Sequence, residues 1–305
     1  MTVHEGIIRD ILRLFVWFPL RWVMRAIPAR SSFFIFKVMG DLHFWASAKK
    51  KERILLNIET LIGTGRKTTG DIVRRYYEAH YIDRLHIFLY PKLNSREKVE
   101  RYVKIQNISV FDKVLREGKG VLVVQPHFGP VQITLLTLAL LKYNPIQIGY
   151  PTGKGLSMIG RSVAFRHRLK YEAMLPAPIF PADEYLGRAY KHLIKGGVVL
   201  TTGDGAGGGI FLGEHRNLRF LGTERMIPLG PASWALRTGA AFIPTFIIID
   251  GYDRFRIVFE DPITGIHNDI EKDVVYITER FVSVAEGYIK KYPYCWHFWD
   301  EIQNY

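Results

Sequence analysis

From about residue 110 onward, the sequence alternates between short runs of branched aliphatic residues and longer segments with helical spacing. Four of the short runs are typical of buried strands: VLVVQ, IQIGY, VVLTT and AFIPTFIII. Segments between them, such as VQITLLTLALLKYN, have the length and pattern of helices. Because parallel strands need a crossover connection, this alternation predicts an α/β fold with a mostly parallel central sheet flanked by helices. The sequence before residue 110 has a mostly helical pattern.

Composition narrows the partners that the protein can have. The 305 residues are 48% hydrophobic, enough for a substantial core, and the net charge of +13 favours an anionic partner. Nucleic acid, an anionic membrane surface and an acidic substrate all fit this charge. No nucleic-acid motif and no Cys/His cluster with metal-ligand spacing accompanies it, so we predict no nucleic-acid partner, no metal site and no cofactor. Cys295 is the sole cysteine, which favours a reducing compartment.

The N-terminal segment at residues 6–28 is rich in Leu, Ile, Phe and Trp, but arginines interrupt it. No uninterrupted apolar stretch reaches the roughly 18 to 20 residues that a spanning helix needs. We predict a helix that lies in a membrane interface, with Trp17, Trp22 and the arginines in the headgroup layer. An amphipathic helix packed on its own domain is the alternative. Basic residues here and in KKKER (49–53) favour an anionic cytoplasmic leaflet.

Two domains follow from this interpretation. Residues 1–45 are expected to form the helical segment at the membrane interface, and residues 46–305 the α/β domain.

Polar residues follow two of the predicted strands. His127 comes after VLVVQP and Asp204 comes after VVLTTG. In α/β sheets, ligands bind beyond the carboxyl ends of the strands, so both residues are placed to act on a ligand. An imidazole with an ordinary pKa near 6.5 can accept a proton from a hydroxyl near neutral pH. Its other nitrogen needs a partner, and Gln132 offers only an uncharged amide.

The glycines around Asp204 match a nucleotide-binding pattern without its context. GDGAGG (203–208) fits G-x-G-x-x-G, but the segment that follows looks extended. A dinucleotide site needs a helix N-terminus there to receive the pyrophosphate. We therefore reject that function and expect the glycines to allow a tight turn beside a ligand.

Several segments in the same order resemble one known family. HFGPVQ (127–132) looks like a variant of the H-x-x-x-x-D/E motif of the late acyltransferases of lipid A biosynthesis, the lauroyl/myristoyl acyltransferases. RFLGTERMIPLGPASWALRTGAAFIPTF (219–246), YPYCWHFWDE (292–301) and KKKERILLNIE resemble further segments of that family. The resemblance covers roughly residues 45–305 and implies a glycerolipid-acyltransferase-like fold.

The resemblance implies an enzyme that moves a fatty acyl chain from acyl carrier protein, or coenzyme A, to a glycolipid hydroxyl such as that of a lipid A precursor. It places the enzyme at the cytoplasmic face of the bacterial inner membrane. The residues that match the family's site are assigned in three roles. His127 is the proposed general base; Gln132 stands at the family's carboxylate position, and Asp204 matches the family's later aspartate. The substrate-binding residues implied are Phe128, Gly129, Arg161 and Arg166.

We expect three further roles for these residues. Backbone N–H groups around Gly129, or an arginine, are expected to stabilise the oxyanion. Arg161 and Arg166 are expected to hold a substrate phosphate, with an exposed basic face as the alternative. Asp204 is expected to orient His127 if the fold brings them together.

Gln132 permits three explanations: a native enzyme that tolerates the amide, a change that traps substrate, or a relative that has lost catalysis. The rival functions are a non-catalytic protein that binds lipid at a membrane surface and a glycerophospholipid acyltransferase.

Overall fold

A computed structural model describes residues 6–149, 153, 155–184, 186–205 and 211–302. Ala206, Gly207 and Gly208 of the GDGAGG segment lie outside the described residues. Residues 6–100 are mostly helical, as predicted. Their elements are α1 (Ile7–Phe15), a π-helical segment (Val16–Leu20), α2 (Arg21–Ala26), α3 (Ala29–Ala46), α4 (Lys49–Ile62), α5 (Arg66–Leu85), a 3₁₀ turn (His86–Leu89) and α6 (Arg96–Glu100).

The rest of the chain alternates between strands and helices. In order, its elements are β1 (Val103–Gln106), α7 (Ile108–Arg116), β2 (Val121–Gln125), α8 (Gln132–Leu140), β3 (Ile146–Gly149), a second π-helical segment (Gly160–Phe165), α9 (Arg166–Glu172), β4 (Ile179–Pro181), α10 (Gly187–Ile194), β5 (Val198–Thr202), β6 (His215–Phe220), β7 (Thr223–Pro228), α11 (Gly230–Thr238), β8 (Ala241–Gly251), β9 (Arg254–Phe259), α12 (Ile270–Lys291) and a 3₁₀ turn (Pro293–Cys295).

Seven strands form the central sheet in the order β1-β9-β8-β2-β5-β3-β4. Neighbouring strands pair in parallel, except that β8 and β9 pair antiparallel. The predicted α/β fold with a mostly parallel sheet is therefore confirmed. Strands β6 and β7 form a separate antiparallel hairpin.

The centre of the sheet explains why its strands were readable from sequence. β2 lies between β5 and β8, and each of its five residues is buried. A strand covered on both faces needs a continuous apolar run rather than alternation. Each valine buried there contributes roughly 1.5 to 3 kcal/mol through loss of contact with water.

The N-terminal segment differs from the prediction in one respect. Trp17 is 7% exposed and packs edge-on against Phe88, with ring centroids 5.1 Å apart, so the predicted position of this residue in the headgroup layer is wrong. Trp22 is 56% exposed. Nothing among the described helices has both the length and the apolar character needed to cross a membrane. The boundary between residues 45 and 46 stays a prediction.

Candidate active site

Strand register brings His127 and Asp204 together. β2 and β5 are parallel neighbours in which Gln125 pairs with Thr202. His127 lies two positions beyond Gln125, and Asp204 lies two positions beyond Thr202. The carboxyl ends of the two strands therefore place both side chains at the same edge of the sheet, where ligands bind in folds of this class.

The turn after β5 is possible because glycines flank Asp204. Gly205 has a φ of +89°, which residues with a side chain rarely adopt. A Cβ at Gly203 would lie 2.5 Å from the Phe281 ring, so the backbone there needs to be bare. The described part of the segment after the glycines, residues 211–220, contains β6 and no helix, so it supplies no helix N-terminus of the dinucleotide type.

Three donors hold the Asp204 carboxylate. Its Oδ1 lies 2.8 Å from His127 Nδ1, and its Oδ2 accepts from the backbone N–H of His127 at 2.9 Å. The indole Nε1–H of Trp296 also donates to Oδ2, at 3.2 Å. The Asp204 side chain is 3% exposed, whereas that of His127 is 24% exposed. A carboxylate only accepts hydrogen bonds, so neutral His127 carries its proton on Nδ1 and keeps the lone pair of Nε2 for another group.

The protonation equilibrium of His127 follows from this setting. Burial lowers the pKa of His127, but the charge of Asp204 and its hydrogen bond to the ring raise that pKa by more. The pKa of His127 therefore lies above its ordinary value of 6.5. The imidazole is consequently a stronger proton acceptor than an isolated histidine, and its protonated form is stabilised by the carboxylate.

The C-terminal segment forms one wall of the site. Its backbone pairs with the loop after β2 through an antiparallel bridge between Phe128 and Trp296, and His297 N–H donates to the His127 carbonyl at 2.9 Å. The ring of Phe298 lies 4.7 Å from that of His127, between centroids. Sequence reasoning identified this segment only as similar to the family; it did not foresee that Trp296 and Phe298 contact the acid–base pair.

Phe128 and Gly129 are not placed as predicted. Phe128 is 0% exposed and packs edge-on against Phe246, so its side chain belongs to the core and is not available to a substrate. The N–H of Gly129 donates to the Cys295 carbonyl at 2.7 Å. That donor is therefore already used in this arrangement, and stabilisation of an oxyanion by backbone N–H groups around Gly129, or by an arginine, stays a prediction.

Gln132 does not contact His127 through a hydrogen bond. Its Oε1 accepts from the Tyr90 hydroxyl at 2.8 Å, and its Nε2 donates to Glu172 Oε1 at 2.9 Å. The same oxygen of Glu172 accepts from Arg168 Nε at 2.7 Å. Glu172 lies on α9 and is 6% exposed. Its buried carboxylate is bound by the amide of Gln132 and by the guanidinium of Arg168.

Glu172 also borders a cavity of about 480 Å³. The other lining residues are apolar and come from α9, the segment before β4 and the first residue of β4: Leu169, Ala173, Leu175, Pro176, Ala177, Pro178 and Ile179. Gln132 thus ties the helix that follows His127 to the wall of an apolar-lined cavity.

Arg161 and Arg166 are exposed, on the second π-helical segment and at the start of α9. Arg161 lines a smaller cavity of about 310 Å³ with Met158 and Ser162. Contacts in the described part of the chain do not join either arginine to His127 or Asp204. Within that part of the chain, His, Cys, Asp and Glu side chains form no group of three or more arranged to hold a metal ion.

Arg225, on β7, is a further residue near the pair that the sequence did not single out. Its guanidinium lies over the Trp296 ring, 5.2 Å from the centroid. Burial lowers the pKa of Arg225, and the charges of Asp204 and Glu301 act in the opposite direction. A cation is therefore held close to Asp204 by the indole that also binds this carboxylate.

Comparison with known proteins identifies the family of the chain. The chain matches the family described as bacterial lipid A biosynthesis acyltransferase over residues 7–301. A comparison with curated protein sequences finds no significant match. A solved structure with partial similarity is that of the 1-acyl-sn-glycerophosphate (LPA) acyltransferase PlsC from Thermotoga maritima. That similarity has 13% identity and a TM-score of 0.33, over 82% of this chain and 97% of that one. Because the family match extends over nearly the whole sequence, the chain belongs to the bacterial lipid A biosynthesis acyltransferases and is an enzyme that transfers acyl groups to lipids.

Proposed function

We propose that the protein transfers a fatty acyl chain from an acyl carrier protein or coenzyme A thioester to a hydroxyl of a glycolipid such as a lipid A precursor, with His127 as general base. The observation that carries this proposal is the bond between His127 Nδ1 and Asp204 Oδ1, at 2.8 Å. It fixes the tautomer that leaves Nε2 able to accept a proton.

The chemistry proceeds without a covalent acyl-enzyme. Nε2 of His127 removes the proton of the acceptor hydroxyl while the oxygen attacks the thioester carbonyl. The tetrahedral intermediate collapses with cleavage of the carbon–sulfur bond, and the imidazolium returns its proton to the departing thiolate. Asp204 does not react; it stabilises the imidazolium and holds the ring in position.

The apolar-lined cavity beside Glu172 is the candidate site for the acyl chain. Seven of its eight lining residues are apolar, and Gln132 joins its wall to the helix that follows His127. Arg161 and Arg166 remain candidates for a phosphate on either substrate, from an exposed position on the surface.

Membrane association is supported by the surface of α1. Five large apolar side chains of this helix are more than half exposed: Ile7, Ile8, Ile11, Leu12 and Phe15. A contiguous exposed apolar surface with arginines beside it is typical of a helix that lies in an interface. Asp10 and Arg13 both contact Ser157, which fixes α1 against the segment before the second π-helix. We place the enzyme at the cytoplasmic face of the bacterial inner membrane.

A reaction with purified protein tests the transfer. Acyl carrier protein and coenzyme A thioesters are each offered with an underacylated lipid A precursor or with a lysophosphatidate, and the products are identified by mass spectrometry. We expect one additional ester on the glycolipid and none on the lysophosphatidate. Acylation of the lysophosphatidate alone would replace the proposed acceptor, and hydrolysis of the thioester without transfer would refute the proposal.

Vesicle flotation tests the membrane contact. Ile11→Asp and Phe15→Asp are expected to reduce the fraction of protein bound to vesicles with anionic lipid, because each charge must be dehydrated on insertion. Ile194→Asp is a matched control, since Ile194 is 56% exposed on α10, outside the N-terminal segment. Equal losses for all three variants would contradict the assignment of the surface.

A further inference from the structure

The guanidinium of Arg225 packs on an aromatic ring and not against a carboxylate. Within the described residues, no oxygen accepts a hydrogen bond from it and no carboxylate lies within ion-pair distance. Its Cζ atom lies over the face of the Trp296 ring, 5.2 Å from the ring centroid. An arginine carries five N–H donors, and Arg225 is only half-buried, so these donors are open to a ligand that enters from solvent.

Two other arginines that are fixed on this molecule have acceptors. Arg256 contacts both oxygens of Asp250, at 2.9 and 2.7 Å. Arg74 donates to Asp41 at 2.6 Å. Arg225 differs from these two arginines because its guanidinium packs on the Trp296 ring. This packing leaves the N–H groups at the edge of the guanidinium able to bind another group.

The position of Arg225 relates it to the reacting centre. Trp296 lies under the guanidinium and donates to Asp204, which in turn binds His127. The hairpin that carries Arg225 also adjoins the loop after Asp204, since a Cβ at Gly205 would lie 4.0 Å from the Met226 carbonyl. Arg225 is therefore linked to His127 through Trp296 and Asp204.

We propose that Arg225 binds a phosphate group of one of the two substrates and so holds the reacting end of that substrate beside His127. This inference rests on the proposed function and deepens it. The phosphopantetheine of the donor is a phosphodiester, and a lipid A-type acceptor carries phosphate monoesters. A planar guanidinium offers two parallel N–H groups to either, and an ammonium does not.

A second role for Arg225 would leave it without a ligand. In that case the guanidinium only balances the charge of Asp204, which lies within electrostatic range. Arg225→Lys separates the roles, because lysine keeps the positive charge but loses the paired donors. Charge balance alone predicts that Lys at this position preserves both Michaelis constants.

Steady-state kinetics with purified protein test the proposal. For Arg225→Lys and Arg225→Ala we expect the KM of one substrate to rise at least tenfold, with kcat within about threefold of the original value. A raised KM for the thioester assigns the phosphate to the donor. A raised KM for the phosphorylated glycolipid assigns the phosphate to the acceptor, provided that the substitutions do not change the KM for the same glycolipid after enzymatic removal of its phosphates.

Two results would overturn the inference. One is that both KM values stay unchanged in Arg225→Lys, whether or not they change in Arg225→Ala. The other is a fall in kcat alone, which would make Arg225 a residue that acts through Asp204. Arg219→Ala is the matched control, since Arg219 is exposed on the same hairpin and is expected to leave both KM values unchanged.

Direct binding keeps the inference separate from the proposed function. If the original protein shows no transfer to any glycolipid, the proposed function fails, and calorimetry with 4′-phosphopantetheine and with a bisphosphorylated glycolipid then tests Arg225. Loss of binding of one of these probes in Arg225→Lys supports the phosphate site. Binding of both that is unaffected by this substitution overturns it. Urea unfolding of each variant verifies that the fold is retained.

Discussion

The side-chain amide of Gln132 donates to Glu172 Oε1 at 2.9 Å, so the residue at the motif's acidic position is bound to a carboxylate on another helix. His127 takes its own carboxylate from Asp204 instead. The carboxylate that binds His127 therefore follows β5, and the carboxylate that binds Gln132 lies on α9. The amide at position 132 fits this arrangement because it can donate to Glu172 while its oxygen accepts from Tyr90.

Gln132→Glu is therefore expected to destabilise the protein rather than to restore a motif. Two carboxyl groups would share the place of one hydrogen bond, which raises the pKa of one of them. When the pKa of a carboxyl group is raised in the folded state, the folded protein loses stability as pH rises through that pKa. We expect the free energy of unfolding in urea to fall by about 1 to 3 kcal/mol at pH 7 and by less at pH 5.

The exchange variant Gln132→Glu with Glu172→Gln is the control. It keeps one amide and one carboxylate in contact, and we expect it to recover most of the lost stability at pH 7. Equal stability of the original protein and Gln132→Glu at both pH values would show that the two side chains are not coupled.

Asp204→Asn removes the charge that raises the pKa of His127. The rate of transfer rises with pH as His127 loses its proton, and a lower pKa moves this rise to lower pH. We expect the midpoint of the acid limb of kcat/KM to shift downward and the maximal rate to fall by roughly a hundredfold or more. Measurement of kcat/KM from pH 5 to 9 checks this, and an acid limb that does not move would mean that Asp204 does not set the pKa of His127.

Trp296→Phe shifts the same limb in the opposite direction. The substitution keeps an aromatic face under Arg225 but removes the hydrogen bond to Asp204 Oδ2. Asp204 then interacts more strongly with the imidazolium, so the pKa of His127 rises and the acid limb moves to higher pH. We expect a five- to tenfold lower rate at neutral pH, on the order of 1 kcal/mol for the lost bond. A downward shift in the pH profile would contradict this role.

Gly129→Ala is expected to destabilise the folded protein because of the backbone conformation and the close packing at this position. Gly129 has a φ of +65°, and an added Cβ would lie 2.3 Å from the Ile247 carbonyl oxygen. We expect the free energy of unfolding to fall by at least about 2 kcal/mol. Gly63→Ala is matched in backbone conformation, with a φ of +74° and no atom within 4 Å, and is expected to cost about 1 kcal/mol. Similar losses for both variants would show that the contact with Ile247 is unimportant.

The parts of the fold that could be predicted are those that depend on local sequence. Buried parallel strands such as β2 and β5 need continuous branched aliphatic residues, and these are visible in the sequence. β4 has three residues, too few to form a pattern, and β9 alternates arginines with apolar residues. The antiparallel pairing of β8 with β9 depends on a two-residue loop at Tyr252–Asp253, and the glycine signal of this hairpin, Asp250–Gly251, lies at the end of β8 and not in the loop.

The candidate site was predictable only where strand ends determine it. His127 and Asp204 follow neighbouring parallel strands, so their proximity depends on register alone. Trp296 reaches the site because a distant segment pairs with the loop after β2, which is a matter of tertiary packing. Trp17 shows the same limit, since an aromatic residue beside arginines is compatible with both a lipid interface and a protein core.

The rate of acyl transfer by purified His127→Ala protein tests the central claim most directly. The variant is first compared with the original protein in urea unfolding, so that a loss of rate is not a loss of fold. General base catalysis by His127 predicts that the rate falls at least about a hundredfold. A rate equal to that of the original protein would contradict the assignment of His127, and with it the account of Asp204 as its partner.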